Sequence, residues 1–338
     1  MSNAQTFNKT IAEVEAYHGG IDADVTNSGV NDFTGANTHT GIETHSGAET
    51  HSGIETHSGA ETHSGVEVFS AVPNVTCYGT AGGRGPSPLV WDDCNLLKII
   101  MDPTYGWSYF NEFVDGGYVL ATNQAATHLN RGVTGFTCTT GNTISQLIDE
   151  PTGVLALNGT TDNEDAGICI CGGVNTAGQI DFLTTKQIWF EARIKALNIT
   201  DSKFGIFCGF AEEGLCATTG IIAAGGTVAD KDLVGFWKDE DDGDKFDTIY
   251  NTASGGGITE LAADAVTIEA DTYIKLGGHF DGTTLTLYAN GVALDDTVAM
   301  AATNFPDGQE MAFYLTAMNM GGDTHEVAID WVRIAAEF

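Results

Sequence analysis

Basic residues are scarce in this sequence: 13 Lys and Arg stand against 46 Asp and Glu, for a formal net charge of −33. The acidic excess runs along the whole chain and is not gathered in one tail. Such a surface repels phosphate backbones and anionic lipid, which argues against direct binding to nucleic acid or to a membrane surface. It fits a highly soluble chain, or one that works beside a basic partner. Proline is rare too, with 6 in 338 residues, and Leu, Glu, Lys and Arg at helical spacing are almost absent, so long amphipathic helices have little to form from. No apolar run approaches membrane-spanning length, and the stretch Met1 to Thr10 lacks the apolar core of an export signal. Without that signal the Asn-x-Thr sequons at Asn8, Asn74, Asn158 and Asn198 carry no expectation of glycosylation. The seven cysteines (Cys77, Cys94, Cys138, Cys169, Cys171, Cys208, Cys216) show no CxxC and no zinc-like spacing. They are expected to be reduced and packed as small hydrophobes, with crosslinks between subunits in an oxidising exterior as the alternative.

What the sequence does have is a repeat. From Gly29 to Ser70 it reads GVNDFT, GANTHT, GIETHS, GAETHS, GIETHS, GAETHS, GVEVFS. The first slot is always Gly, the second Val, Ala or Ile, the fifth His or Phe, and the sixth Thr or Ser. Six is a multiple of the strand period, so an extended chain keeps each slot on one face, with aliphatic, Thr and Ser opposite Gly, Glu and His. Helical spacing fails, because six residues overshoot a whole number of turns and a Gly in every hexad opposes helix. An isolated extended chain leaves its backbone N–H and C=O groups without partners, so the repeat must pair. A homotrimer whose chains wrap into a β-structured stem is the expected solution. A single-chain β-helix with one hexad per side of a triangular coil is the alternative, although seven hexads give barely more than two circuits. A flexible linker is the third reading.

The expected organisation is an N-terminal arm over 1–28, the hexapeptide-repeat β-stem over 29–76, a hinge over 77–90 and a β-sandwich head over 91–338. In the arm, Ile11, Val14, Tyr17 and His18 mark one short amphipathic turn before Gly19 and Gly20. The hinge is rich in Gly and Pro. Beyond it, Ile188 to Lys195 alternates cleanly, with Ile188, Phe190, Ala192 and Ile194 facing in and Glu191, Arg193 and Lys195 facing out. Further strands are expected near 153–157, 168–172, 204–210, 233–237, 246–250, 273–280, 285–289, 311–317 and 327–334. Asp281-Gly282 and Asn290-Gly291 are turn dipeptides suited to positive φ. About ten antiparallel strands with few helices predict an all-β, two-sheet sandwich of jelly-roll type.

Phe280-Asp-Gly-Thr-Thr-Leu-Thr-Leu-Tyr-Ala-Asn-Gly-Val292, preceded by Tyr273-Ile-Lys-Leu-Gly277, resembles the paired strands of concanavalin A-like and laminin-G-like sandwiches. Ala328-Ile-Asp-Trp-Val-Arg-Ile334 is similar to the closing strand of that group. Trp91-Asp-Asp-Cys94, Trp189-Phe-Glu-Ala-Arg193, Gly209-Phe-Ala-Glu-Glu-Gly-Leu215, Asp230-Lys-Asp-Leu-Val-Gly235 and Asp239-Glu-Asp-Asp-Gly-Asp244 together resemble decoration and other structural proteins of tailed-phage virions. That resemblance covers roughly 91–338 and implies a non-enzymatic role on the capsid surface after assembly in the host cytoplasm. The partners it implies are the major capsid protein or other virion proteins; the repeat, which lies outside the resemblance, adds the expectation of a homo-oligomer, a trimer first, and a surface glycan is a further candidate partner. The rival readings are a carbohydrate-binding, lectin-like module and a glycosidase.

Chemistry in the sequence is thin. Glycosidases on such sandwiches carry a Glu-x-Asp-x-x-Glu strand that aims carboxylates into one cleft. The nearest stretch, Glu240-Asp-Asp242-Gly-Asp-Lys245, puts Lys in place of the second Glu, so no catalytic residue is expected. Asp239, Asp241, Asp242, Asp244 and Asp247 lie out of register for a calcium loop and read as a solvated turn. His39, His45, His51, His57 and His63 are the candidate metal ligands, because a parallel trimer in register would bring them together in rings of three. Phe33 and Phe69 fill the same slot at the ends and favour packing over ligation. No cofactor is expected.

Overall fold

The computed structural model describes residues 83–338, apart from 116, 121–126, 138–141, 148–152, 173–177, 200–203, 216–220, 223–226, 240–242, 254–255 and 320–324. Toward the N-terminus it describes the backbone of eight three-residue strands between 25 and 69. The chain divides into two compact units, Met1–Asn74 and Val75–Phe338.

In the N-terminal unit the strands are β1 (Val25–Asn27), β2 (Asn31–Phe33), β3 (Asn37–His39), β4 (Glu43–His45), β5 (Glu49–His51), β6 (Glu55–His57), β7 (Glu61–His63) and β8 (Glu67–Phe69). Each strand takes the third, fourth and fifth slots of a hexad. Pairing is parallel and joins every strand to the one three hexads on, in the orders β1-β4-β7, β2-β5-β8 and β3-β6. Val25 faces Glu43 and Glu43 faces Glu61, so one circuit takes eighteen residues. The repeat's backbone partners are thus found within the chain, in a coil of three hexads per circuit, the single-chain alternative expected beside the trimeric stem. The coil also starts one hexad before Gly29, at β1.

Among the described residues the C-terminal unit has two short helices, α1 (Pro88–Trp91) and α2 (Leu96–Met101), followed by sixteen strands. These are β9 (Gly106–Asn111), β10 (Thr127–His128), β11 (Val133–Thr137), β12 (Thr143–Gln146), β13 (Leu155–Gly159), β14 (Glu164–Ile170), β15 (Ile188–Ala196) and β16 (Phe204–Glu212). They continue as β17 (Leu233–Lys238), β18 (Lys245–Asn251), β19 (Thr259–Thr267), β20 (Tyr273–Phe280), β21 (Thr284–Ala289), β22 (Val292–Ala299), β23 (Met311–Asn319) and β24 (His325–Glu337). One sheet runs β10-β11-β14-β23-β16-β17-β18-β19; the other runs β12-β13-β24-β15-β20-β21-β22, with β9 added to β24. Neighbouring strands in both are antiparallel. The unit is thus an all-β, two-sheet sandwich.

Alternation explains the layering. Ile188, Phe190, Ala192 and Ile194 of β15 meet Phe204, Ile206, Cys208 and Phe210 of β16 and Met311, Phe313, Leu315 and Ala317 of β23 in one core between the sheets. Phe182, Phe190, Phe210 and Phe280 pack edge to face at its centre, the geometry that ring quadrupoles favour. Both turn dipeptides form as expected: Asn290 and Gly291 have φ of 49° and 75° and join β21 to β22, and Gly282 has φ of 91° between β20 and β21. Cys94, Cys169, Cys171 and Cys208 are free thiols, while Cys77, Cys138 and Cys216 lie outside the described residues. Among the described residues no helix is long and apolar enough to cross a membrane.

Candidate functional site

The richest chemistry lies on the outer face of the second sheet. Residues of β15, β20 and β24 that alternate with the core residues point there, and the sequence expects water over them. Glu191 and Lys275, however, are only 1% and 3% exposed. The cover is the described part of the expected hinge, 83–90, together with α1 and α2. Val90, Trp91, Cys94 and Ile99 pack on Trp189 and Ala335. A Gly- and Pro-rich stretch has thus become a strap, held by charges it finds on the sheet.

A β-bulge supplies one of those charges. The register of β15 with β24 shifts between Arg193 and Ile194, whose partners are Trp331 and Ile329, so Asp330 is left over between them. Asp330 is 1% exposed and accepts from Arg84 Nε at 2.9 Å, from Arg84 Nη2 and from Arg193 Nη1. One carboxylate thereby holds two guanidinium groups, one from the strap and one from the sheet. Arg193 also lies over the Tyr273 ring at 3.9 Å.

Glu191 supplies the second clamp. Its Oε2 accepts from the backbone N–H of Ser87 and from Trp91 Nε1, both at 2.9 Å. Lys275 donates to the Gly85 carbonyl at 3.1 Å, and Trp331 Nε1 donates to the Arg84 carbonyl at 2.7 Å. Burial pushes the Lys275 ammonium below its ordinary range, and the Glu191 charge opposes that shift. His279 stacks on Trp189 at 5.2 Å and meets Gln187 at 3.0 Å; burial lowers its pKa. Both carboxylates are buried and accept hydrogen bonds from the strap, so the arrangement fastens chain to sheet.

The outer face of the first sheet is covered too. Phe136, Cys169, Phe207, Ala211, Ile249, Ala312, Tyr314 and Met318 carry Leu215, Ile221, Ile222 and Val228 from the β16–β17 connection. Gly209 and Gly235 face each other on β16 and β17 in the middle of that sheet. A Cβ on Gly209 would stand 2.3 Å from the Val234 carbonyl oxygen, so close strand approach there requires glycine.

No family model matches the chain, and no curated protein matches it. Solved structures do. A protein of unknown function from Shewanella oneidensis is 12% identical, with a TM-score of 0.45 over 69% of this chain and 87% of that one. A glycoside hydrolase family 16 endo-glucanase from Bacteroides ovatus is 14% identical, with a TM-score of 0.41 over 67% and 99%. The carbohydrate recognition domain of Emp46p is 11% identical, with a TM-score of 0.42 over 67% and 98%. No residue role is carried over from any of them.

The residues singled out in the sequence fall as follows. Glu240, Asp241 and Asp242 lie outside the described residues. Asp247 is buried on β18 and accepts from the Asp264 N–H at 2.8 Å, while Asp244 meets Lys245 at 3.6 Å, so these two serve the sheet edge. Among the described side chains, all of them in 83–338, no three His, Cys, Asp or Glu converge on a point that would hold a metal ion. The five candidate histidines fall at the ends of consecutive strands, and the register sorts them: His39 pairs with His57, His45 with His63, and His51 stands between Phe33 and Phe69. The clamp residues Arg84, Glu191, Lys275 and Asp330 were not foreseen as a group. The available signal was a Glu, a Lys and an Asp inside strands of otherwise apolar alternation.

Proposed function

We propose that this protein is a non-enzymatic structural component of a virion, a sandwich joined to a self-paired repeat unit, that reinforces or projects from a tailed-virus capsid. The observation that carries the reading is the strap: on the outer face of the second sheet Glu191, Lys275 and Asp330 are covered by the chain's own residues 84–101 and hydrogen-bond to them. The resemblance of Trp91–Cys94, Trp189–Arg193 and Gly209–Leu215 to virion proteins supports the location. A strongly acidic surface also suits docking beside a basic partner such as a capsid protein. The test is direct. Mass spectrometry of purified particles of the encoding virus should find the chain in fixed ratio to the major capsid protein, and the purified protein should release no sugar from a polysaccharide panel. Turnover abolished by replacing a single acidic residue would overturn it.

A second reading, a carbohydrate-binding module, is favoured by one feature. Phe110 on β9 is 44% exposed, backed by the buried Trp331 at 6.4 Å and the Arg333 guanidinium at 5.7 Å from its ring, so its face is one on which a sugar ring can stack. Glycan binding that Phe110→Ala removes, in a protein absent from particles, would establish that reading in place of the first.

A further inference from the structure

The eighteen-residue circuit gives the histidines of the repeat a meaning that a six-residue period alone does not. Glu and His of each Glu-Thr-His triplet are two positions apart and share one face of their strand. Parallel pairing then sets strands side by side at about 4.8 Å, with the two residues about 6.6 Å apart along each strand. On the β1-β4-β7 side the register brings His45 beside His63 and Glu43 beside Glu61. On the β3-β6 side it brings His39 beside His57, with Glu55 beside Asn37. The β2-β5-β8 side differs, because His51 is flanked by Phe33 and Phe69.

The two Phe residues speak against ligation only while every hexad is treated alike. They are thirty-six positions apart, a whole number of circuits, so both fall on the side of His51 and neither interrupts a His pair. Each of the other two sides sets two imidazole-bearing residues about 4.8 Å apart across the pair and at least one carboxylate-bearing residue about 6.6 Å along the strand from one of them. Nitrogen with carboxylate oxygen is the donor set of late first-row divalent cations, whereas calcium and magnesium take oxygen alone.

We infer that the repeat holds two binding sites for a divalent transition-metal ion of the zinc class, one at the His45/His63 register with Glu43 and Glu61 and one at the His39/His57 register with Glu55. His51 belongs to neither. This does not depend on the virion reading.

The experiment is zinc titration of the full-length, chelator-stripped protein in excess magnesium, which occupies sites made of carboxylates alone. The wild type and His51→Phe should each hold two zinc ions per chain above the magnesium background. His45→Phe and His39→Phe should each hold one, and the double variant none. Phe already occupies this slot at Phe33 and Phe69, so the coil accommodates it, and unchanged far-ultraviolet circular dichroism checks each variant. Cobalt gives an independent readout: its visible ligand-field band should persist in His51→Phe and vanish in the double variant. A wild type that holds no zinc above background, a double variant that retains wild-type stoichiometry, or a loss in His51→Phe equal to that in His45→Phe would each overturn the inference.

Discussion

Removing the Asp330 carboxylate is the sharpest perturbation of the strap, because one group secures both sides. In Asp330→Ala, Arg84 and Arg193 lose their shared acceptor and face each other as like charges. Deleting one member of a buried ion pair costs about 3–5 kcal/mol. Here the two guanidinium side chains are unequally placed, 42% exposed for Arg84 and 20% for Arg193, so Arg84 can turn to water and its share must be discounted. About 2–4 kcal/mol remains, most of it from Arg193. For a domain of this size each 1 kcal/mol moves Tm by roughly 2–4 °C, so a fall of about 4–16 °C is expected. The assay is thermal unfolding followed by near-ultraviolet circular dichroism, run beside limited proteolysis with cleavage mapped between 83 and 101. Cleavage should rise in the strap before the sandwich melts, since the strap is the element released. Arg84→Ala should cost less than Asp330→Ala, and the double variant should show positive coupling. An Asp330→Ala protein within 0.5 kcal/mol of wild type, with an uncut strap, would refute the clamp.

Three further outcomes follow from the same packing. Gly209→Ala forces a methyl into the Val234 carbonyl oxygen and should destabilise the C-terminal unit by about 3 kcal/mol or more, read as a shifted denaturant midpoint, while exposed Gly308→Ala should cost less. Burial pushes the Cys94 and Cys171 thiols up to about 12 and Cys208 higher still, so at pH 8 all three stay protonated and should resist alkylation in the native protein; mass mapping should find them modified only after unfolding. The fragment 75–338 holds its own core and should melt within 2–3 °C of the same transition in the full chain, with light scattering comparing the oligomer mass of the two; failure of the fragment to fold would show that the repeat unit is needed for the sandwich.

The sandwich was readable where strands are central and the reasons are physical. β15, β16, β23 and β24 lie in the middle of their sheets, and their alternation of core and outer residues is strong. β9, β19 and β22 lie at or beside sheet edges with much of each strand exposed, which weakens the apolar period that marks a strand, and β11, buried throughout, has no alternation to mark it either. The strap was illegible for another reason: Glu191 alternates as a solvent residue should, and only a segment about a hundred positions upstream takes the water away. In the repeat, the six-residue period was plain but the circuit was not, since near-identical hexads tolerate any offset that is a multiple of six. The sequence of the aliphatic slot carries a clue: an offset of twelve matches Ile42 to Ile54 and Ala48 to Ala60, whereas an offset of eighteen matches large to small, Ile42 to Ala60 and Ala36 to Ile54.

A coil that closes every third hexad also counts in threes. Gaining one hexad, an easy slip in a stretch this repetitive, lengthens it by a third of a rung and hands every later strand to the next side, so the histidine pairs are broken up and re-dealt. Gaining three lengthens it by a full rung and leaves every pairing partner on its own side. Copy number in this repeat therefore sets phase as well as length, and the two can vary independently only in steps of eighteen residues.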